Sequence, residues 1–470
     1  MNDLGHSDIV IIGGGFGGMN AALELDRALR RKLDARVTLI SRTNFYLFTP
    51  LLAEVTASLV EPRHAVNSIR RMLKRVQFLE ATVDRLDTED SRVIVVDENG
   101  DEGTLSYDHC VLAPGSVTQF FGIEGLSEHA FTLKTLGDAI RIRNHIVRSL
   151  ERADVLAAEK RRELLTFAVV GGGLNGTEVT GELHDFVMRA LEDYPNVHRD
   201  DVRMVLIEMR PRLAQELPPE IGDYCRRNLE SRGVECWLNA KVTRYGEGAL
   251  TVDRGDPDGE QDLRTETVIW TAGVRPSSLI SQIQAEPAAE GDDRLPANEF
   301  LQVRGHESVW ATGDSALIPN LEGQGQPYQP PTAQHAVRQG RHVARNIQRA
   351  LRGDALEPYR YGGIGMLATL GRHRGIGTVY GIRLKGLAAW FAWRTYYLFA
   401  LPRWDRRVRV AFDWTLDLIF PRDIVELKVE PLQTGQEVRQ ASAAGAATTE
   451  QTSRTADAAP RIRNPAATTC

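Results

Sequence analysis

Two glycine-rich turns of one pattern, 158 residues apart, constrain this chain more than any other feature. The first, VIIGGGFGG, carries Gly13, Gly15 and Gly18 in G-x-G-x-x-G spacing; the second, VVGGGLNGTE, carries Gly171, Gly173 and Gly176. Each follows an apolar, β-branched run and opens a helical pattern, the context that separates a dinucleotide fingerprint from a chance glycine cluster. Glycine is needed at three places: for the tight turn, for close approach of a pyrophosphate, and for packing helix against strand. The pyrophosphate then rests on the free N–H groups of the helix N-terminus. A single copy also reads as an ordinary strand-to-helix loop. Two copies predict two dinucleotides in one polypeptide, the arrangement a flavoenzyme needs to pass a hydride from nicotinamide to flavin.

The pattern around the turns is that of a repeated βαβ unit. Residues 8–12, 36–41 and 93–97 read as strands, with a helix from about Gly17 to Leu33. The run Cys110–Ala113 ends in Pro114-Gly115-Ser116. The module then restarts with strand Thr166–Val170, a helix from about Thr177, strand Val202–Glu208, and Thr267–Trp270 closing on Thr271-Ala272-Gly273. A last short strand, Ser308–Ala311, ends in Thr312-Gly313-Asp314. The expected fold class is α/β, with two nested Rossmann-like dinucleotide-binding domains and a C-terminal membrane-associating helical segment. The expected boundaries are 1–115 with 295–380 for the first domain, 116–294 for the second, 381–432 for the helical segment and 433–470 for a tail. That tail is Ala-, Thr-, Ser-, Gln- and Arg-rich with no hydrophobic period, and it is predicted disordered.

Composition closes off several other classes. A net charge of −6 gives no basic bias for nucleic acid. The four cysteines, Cys110, Cys225, Cys236 and Cys470, form no C-x-x-C. They therefore predict neither a disulfide scaffold, a redox dithiol nor a metal site, and fit a reducing compartment. The first strand begins near Ile9, which leaves no room for a signal peptide. The longest apolar stretch, Leu387–Leu401, contains Arg394 and is shorter than the ~20 residues a bilayer span needs.

The residue ending the second strand of each unit selects the nucleotide. In the second unit it is Glu208, which can accept both adenosine ribose hydroxyls and would repel a 2′-phosphate, pointing to NADH over NADPH. Arg210 and Arg212 pull the other way, and Glu208 lies 32 residues past Gly176, so the intervening segment must be extended. The first unit has Ser41 and Arg42 at the same place, a hydroxyl for ribose and a cation for phosphate or adenosine. Gly313 and Asp314, at a strand end before a helix, suit the polyol linker of a flavin nucleotide.

With these residues in view, the chain resembles the type II NADH:quinone oxidoreductases, single-chain membrane-bound flavoenzymes. The resemblance runs from about Asp8 to Leu432. It is carried by RTNFYLFTPLLAEV (42–55), GGGLNGTEVTGEL (171–183), WTAGVRPS (270–277), ATGDSA (311–316), PPTAQHAVRQG (330–340) and GIGMLATLGRHRGIG (363–377). It implies FAD in the first unit, NADH in the second and a quinone as acceptor, without proton pumping. Glu178 matches the family glutamate near the nicotinamide and flavin rings, and Gln334 the first glutamine at the quinone end; these two are the expected catalytic residues. Thr49 and Pro50 match the loop beside the isoalloxazine, and Asp314 the FAD-contacting aspartate. Val83 and Gly273 complete the expected cofactor-binding set. Two positions depart from the family: Arg338 replaces its second glutamine, and Ile364 stands where many members have a lysine.

The aromatics Trp390, Phe391, Trp393, Tyr396, Tyr397 and Phe399 precede the cluster Arg403, Arg406, Arg407 and Arg409. Aromatics beside arginines suit the headgroup boundary of an anionic membrane, so a helix lying on the lipid surface is expected. The same stretch also reads as a core helix at a domain or dimer interface. The expected location is peripheral, on the cytoplasmic side of the cell membrane, with pairing into a homodimer left open. A soluble NAD(P)H-dependent flavin reductase with another acceptor, or a flavin-binding membrane sensor without turnover, are the alternatives. Sulfide:quinone oxidoreductase chemistry would need a cysteine pair near the flavin.

Overall fold

The computed structural model describes residues 7–255, 259–285, 292–322 and 326–426; the expected tail, 433–470, lies outside them. Two five-stranded sheets with one common plan organise the chain, each parallel throughout. In the first, the spatial order is Val309–Ala311, His109–Leu112, Ser7–Ile12, Ala35–Ser41 and Gln77–Glu80. In the second it is Phe131–Thr132, Thr267–Trp270, Thr166–Val170, Arg203–Glu208 and Val234–Leu238. The strand Val309–Ala311 rejoins the first sheet after the second is complete.

Burial explains why the central strands read so clearly in sequence. Every residue of Thr166–Val170 is buried, as helices cover both faces of a parallel sheet and favour an unbroken β-branched run. Strand 93–97 is a different case. Arg92–Val96 is the middle of a separate antiparallel sheet between Thr82–Asp87 and Glu102–Ser106, half-solvated and alternating. The second unit has the matching meander, Lys241–Gly246, Ala249–Asp253 and Glu260–Arg264. In each unit the strand after the meander returns to the parallel sheet.

The helix Phe16–Arg30 packs on Ala333–Ala350 so closely that a Cβ on Gly340 would lie 2.1 Å from Gly17 O. The helix Leu174–Ala190 is followed by short 3₁₀ turns at Leu191–Asp193 and Arg199–Asp201, which make up the long spacing to Glu208. After a small antiparallel sheet, Gly365–Thr369, Gly375–Val379 and Ile382–Lys385, come the helices Gly386–Ala400 and Trp404–Ile419. Among the described residues no helix is long and apolar enough to cross a membrane.

Candidate active site

The two turns share the constraints on their first and third glycines. Gly13 and Gly171 have φ of +104° and +108°, where a side chain is strained. A Cβ on Gly18 would lie 2.0 Å from Gly13 O, and one on Gly176 1.8 Å from Gly171 O. The third glycine thus lets the helix seat on the turn. At Gly15 a Cβ would meet nothing within 4 Å, so the backbone is open to a ligand beside the N-terminus of Phe16–Arg30. At Gly173 the nearest atom is Glu216 Oε1, at 2.9 Å from the Cβ position. That open turn, backed by free helix N–H groups, fits a pyrophosphate.

The strand-end residues face the turns in the same way. Glu208 Oε2 accepts from Gly172 N at 2.6 Å and Oε1 from Arg210 N at 2.8 Å. In the first unit Ser41 Oγ lies 2.7 Å from the Cβ position of Gly14. Arg42 is exposed, and Val83 begins a bulge in the meander two residues beyond Ala81, whose N–H donates to Ser41 O. Gly273 follows the strand Thr267–Trp270 beside the turn, where Ala272 Cα lies 2.7 Å from the Cβ position of Gly171; its own Cβ position is filled by the Phe121 ring.

Gly313, at φ +78°, donates its N–H to Gln339 Oε1 at 2.9 Å. Asp314 Oδ2 accepts from Ser116 Oγ at 2.6 Å, and Ser116 Oγ accepts in turn from Lys134 Nζ at 2.7 Å. Lys134, which nothing in the sequence pattern marks, thus ties the second unit's first strand to the first unit's aspartate. Burial holds its pKa below the usual lysine range, with the Asp314 charge opposing.

Glu178 is in the second turn of Leu174–Ala190, not the first, so its carboxylate is not placed to serve the helix dipole. It points away from the turn instead. Oε1 accepts from Trp393 Nε1 at 3.0 Å and from Thr369 N at 3.1 Å. Burial pushes its pKa up to about 8, against those two hydrogen bonds, although the residue as a whole is only partly buried. A carboxylic acid in this state is mostly protonated at pH 7.

A cavity of about 1100 Å³ lies beneath the C-terminal helices. Its walls include Phe16, Pro50, Gln334, Ile364, Tyr396 and Tyr397, while Thr49 starts the 3₁₀ turn on which Pro50 sits. The amide of Gln334 is anchored at both ends: Oε1 accepts from Tyr361 Oη at 2.9 Å and Nε2 donates one of its two N–H groups to Gly365 O at 2.9 Å. Arg338 stacks on the Tyr361 ring at 4.2 Å and donates to Gln334 O. His335 is buried, its Nδ1 2.7 Å from Thr332 Oγ1, and burial lowers its pKa to about 4, so it stays neutral.

The C-terminal aromatics divide into three roles, which corrects the expectation of one lipid-facing stripe. Trp390 and Trp393 are buried, because Gly386–Ala400 packs on the small antiparallel sheet. Tyr396 and Tyr397 line the cavity, and Phe391 and Phe399, the exposed two of the six, border it from outside. Further exposed apolar residues, Trp404, Phe412 and Ile419, come from the last helix. Cys110 and Cys225 are buried in strand and helix, and burial raises both thiols far above the reactive range.

Residues 7–340 match the pyridine nucleotide-disulphide oxidoreductase family model, and residues 364–423 match the NDH2 C-terminal domain. The fold and paired turns thus define a flavin- and nicotinamide-type oxidoreductase class. The type II NADH:quinone oxidoreductase NdhA of Mycobacterium tuberculosis is 30% identical over 431 residues, 88% of each chain. That of Staphylococcus aureus is 30% identical over 387 residues, 82% of this chain and 92% of its own. The structure of NDH2 from Plasmodium falciparum in complex with NADH superposes with a TM-score of 0.82 at 22% identity, covering 90% of this chain and all of that one. The chain belongs to the type II NADH:quinone oxidoreductases.

Proposed function

We propose that this protein is an FAD-dependent NADH:quinone oxidoreductase that works at a membrane surface. The observation that carries the reading is the apolar cavity: it runs from the Gln334 amide and Pro50 to the aromatic wall of the C-terminal helix. Bound FAD supplies hydride acceptance from NADH and two-electron delivery to the quinone. The first unit, residues 1–115 with 295–380, is the FAD domain. Gly13, Gly15 and Gly18 seat its pyrophosphate, with Ser41, Arg42 and Val83 toward the adenosine and Thr49, Pro50, Gly313 and Asp314 toward the flavin. The second unit, residues 116–294, is the NADH domain, with Gly171, Gly173, Gly176 and Gly273 as its turns and Glu208 for the ribose.

Glu178 holds a proton at neutral pH and is tied to the cavity wall through Trp393, whose ring packs 4.8 Å from that of Tyr397. The fixed amide of Gln334 offers the acceptor a rigid polar edge at low entropic cost. The exposed apolar residues Leu387, Phe391, Phe399 and Trp404, beside Arg403, Arg406, Arg407 and Arg409, support docking on anionic lipid, with the cytoplasmic leaflet as the expected face. The same exposed face is available to a second copy of the chain.

Anaerobic addition of NADH should bleach the flavin absorbance, and a menaquinone or ubiquinone analogue should restore it. Colourless protein after refolding with FAD, or bleaching that no quinone reverses, overturns the reading.

A further inference from the structure

The cavity beneath the C-terminal helices carries charge of one sign only. Arg27, Arg338, Arg341 and Arg407 line it, and among the described residues no acidic side chain does. Arg27 comes from Phe16–Arg30, Arg338 and Arg341 from Ala333–Ala350, and Arg407 from the last helix. Arg338 and Arg407 are half-buried, whereas Arg27 and Arg341 are exposed. Gln334, Arg338 and Arg341 have the spacing of a single helix face, so the cations continue the line that the Gln334 amide begins. Arg338 is one turn from Gln334, about 6 Å along the axis.

Two observations set these arginines apart from a solvated basic surface. Among the described residues only Arg27 has a carboxylate within ion-pair distance, Glu24 at 2.9 Å. Arg338 is held by the Tyr361 ring and Gln334 O, Arg341 by Asn20 Oδ1 at 3.1 Å, and Arg407 by Leu401 O at 2.9 Å. These neutral contacts fix the guanidinium groups without cancelling their charge. Partial desolvation, then the like charges of Arg27 and Arg338, lower the pKa of Arg341, with Glu24 opposing. The second observation is donor capacity. Arg338 gives Nη1 to Gln334 O, and a guanidinium has further N–H groups to offer. A neutral quinone needs donors and apolar contact but gains little from uncancelled cations; an anion on its ring gains a charge-assisted hydrogen bond.

We propose that Arg338, backed by Arg341, makes this cavity selective for a quinone that carries an acidic ring substituent, an ionised hydroxyl on an apolar ring. The inference rests on the NADH-to-quinone reading. A ring carbonyl takes the second N–H of Gln334 Nε2, and the ionised oxygen meets Arg338 one turn further on. The charged group binds and does not react. NADH, the quinone anion and one proton give NAD⁺ and the quinol anion, with two electrons and two protons entering at the ring carbonyls. Ile364, on the same wall, adds no charge, so the anion is drawn to the Arg338 side.

The test uses full-length, FAD-loaded protein and two probes built on one naphthoquinone ring. Lawsone carries a hydroxyl that is ionised at pH 7; menadione carries a methyl group and no charge. Equilibrium dialysis against the oxidised enzyme gives each dissociation constant, and flavin reoxidation after bleaching by NADH gives each KM. The wild type should hold lawsone about tenfold or more tightly than menadione. That gap should narrow as salt is raised. Arg338→Gln should cut the preference about tenfold, and Arg341→Gln about threefold. Arg338→Lys keeps the charge and should keep most of the preference. The ratio of two quinones on one protein cancels any general loss of folded or flavin-loaded enzyme.

A wild type without preference, or a preference that Arg338→Gln leaves intact, overturns the inference. So does an Arg338→Gln variant that stops sedimenting with phosphatidylglycerol vesicles while its quinone ratio is unchanged, which would make the arginines a lipid-headgroup site. A wild type that neither quinone reoxidises overturns the acceptor reading and this inference with it. One that menadione reoxidises, with equal affinity for both probes, removes the inference alone.

Discussion

The two glycine turns share their geometry and differ in chemistry at every polar position around it. Gly13 and Gly171 take nearly the same φ, and the third glycine of each meets the first glycine's carbonyl at the same short range. Yet Ser41 faces the first turn and Glu208 the second. Eight residues into the repeat, the first unit carries Asn20, whose Oδ1 accepts from Arg341, while the second carries Glu178 against Trp393. A duplicated backbone thus sets where a nucleotide can sit, and side chains that leave the backbone untouched set which one. Function was divided without changing the fold.

The largest effects should come from the shared geometry. A Cβ at Gly176 or Gly18 meets backbone oxygen that has no room to move, so valine at either should cost about 3 kcal/mol or more in local packing. Gly176→Val should abolish NADH-dependent bleaching while the protein stays yellow, whereas Gly18→Val should yield protein without flavin. If either variant loses both nucleotides, the units are not separable.

Next in size is the charge that distinguishes the strand ends. Glu208→Gln removes a charged acceptor and should weaken NADH binding by about 2 kcal/mol, read as a roughly 30-fold rise in its dissociation constant, with FAD content unchanged. The same substitution should narrow the preference over NADPH, since the carboxylate that repels a 2′-phosphate is gone. Equal affinity in variant and wild type would remove Glu208 from the ribose site.

The Asn20–Glu178 difference is tested through pH. Burial lifts the Glu178 pKa from 4.5 to about 8, so the folded chain keeps a proton that the unfolded chain releases above pH 4.5. Its contribution to stability therefore falls as pH rises between those values and levels off above about 8. Glu178→Gln should gain about 1–2 kcal/mol relative to the wild type between pH 5 and pH 8, the residue's partial exposure screening the rest. Melting temperatures of both proteins across that range check it; parallel curves would place Glu178 in a more open setting.

What was legible in the sequence follows from how local each signal is. The turns and central strands are set by short-range sterics and by burial on both faces, and both leave marks within ten residues. The strands Gln77–Glu80 and Val234–Leu238 lie at sheet edges, partly exposed, and carry no unbroken apolar run. The motif residues Glu178 and Gln334 were visible as positions, but their partners were not. Trp393 and Tyr361 are 215 and 27 residues away, brought in only by tertiary packing. The aromatic C-terminal stretch misled for a related reason. Residue type cannot say which side of a helix meets the sheet, and Trp390 and Trp393 turned inward.

The smallest expected effect concerns the one place where the second turn is less open than the first. Glu216 Oε1 lies 3.4 Å from Leu174 N, accepting from the helix N-terminus at which the second nucleotide's pyrophosphate is expected, whereas nothing approaches Gly15. A carboxylate there gains from the helix dipole and competes with an incoming anion for the same N–H groups. Glu216→Gln keeps the side chain's size and removes the competing charge. It should therefore tighten NADH binding by about 0.5–1 kcal/mol, most at low ionic strength, because an exposed charge at a helix end is screened by salt. Titration of NADH at two salt concentrations separates the outcomes. A gain that vanishes at high salt marks Glu216 as an electrostatic competitor, whereas an equal loss at both would mean that it holds the loop in its binding shape.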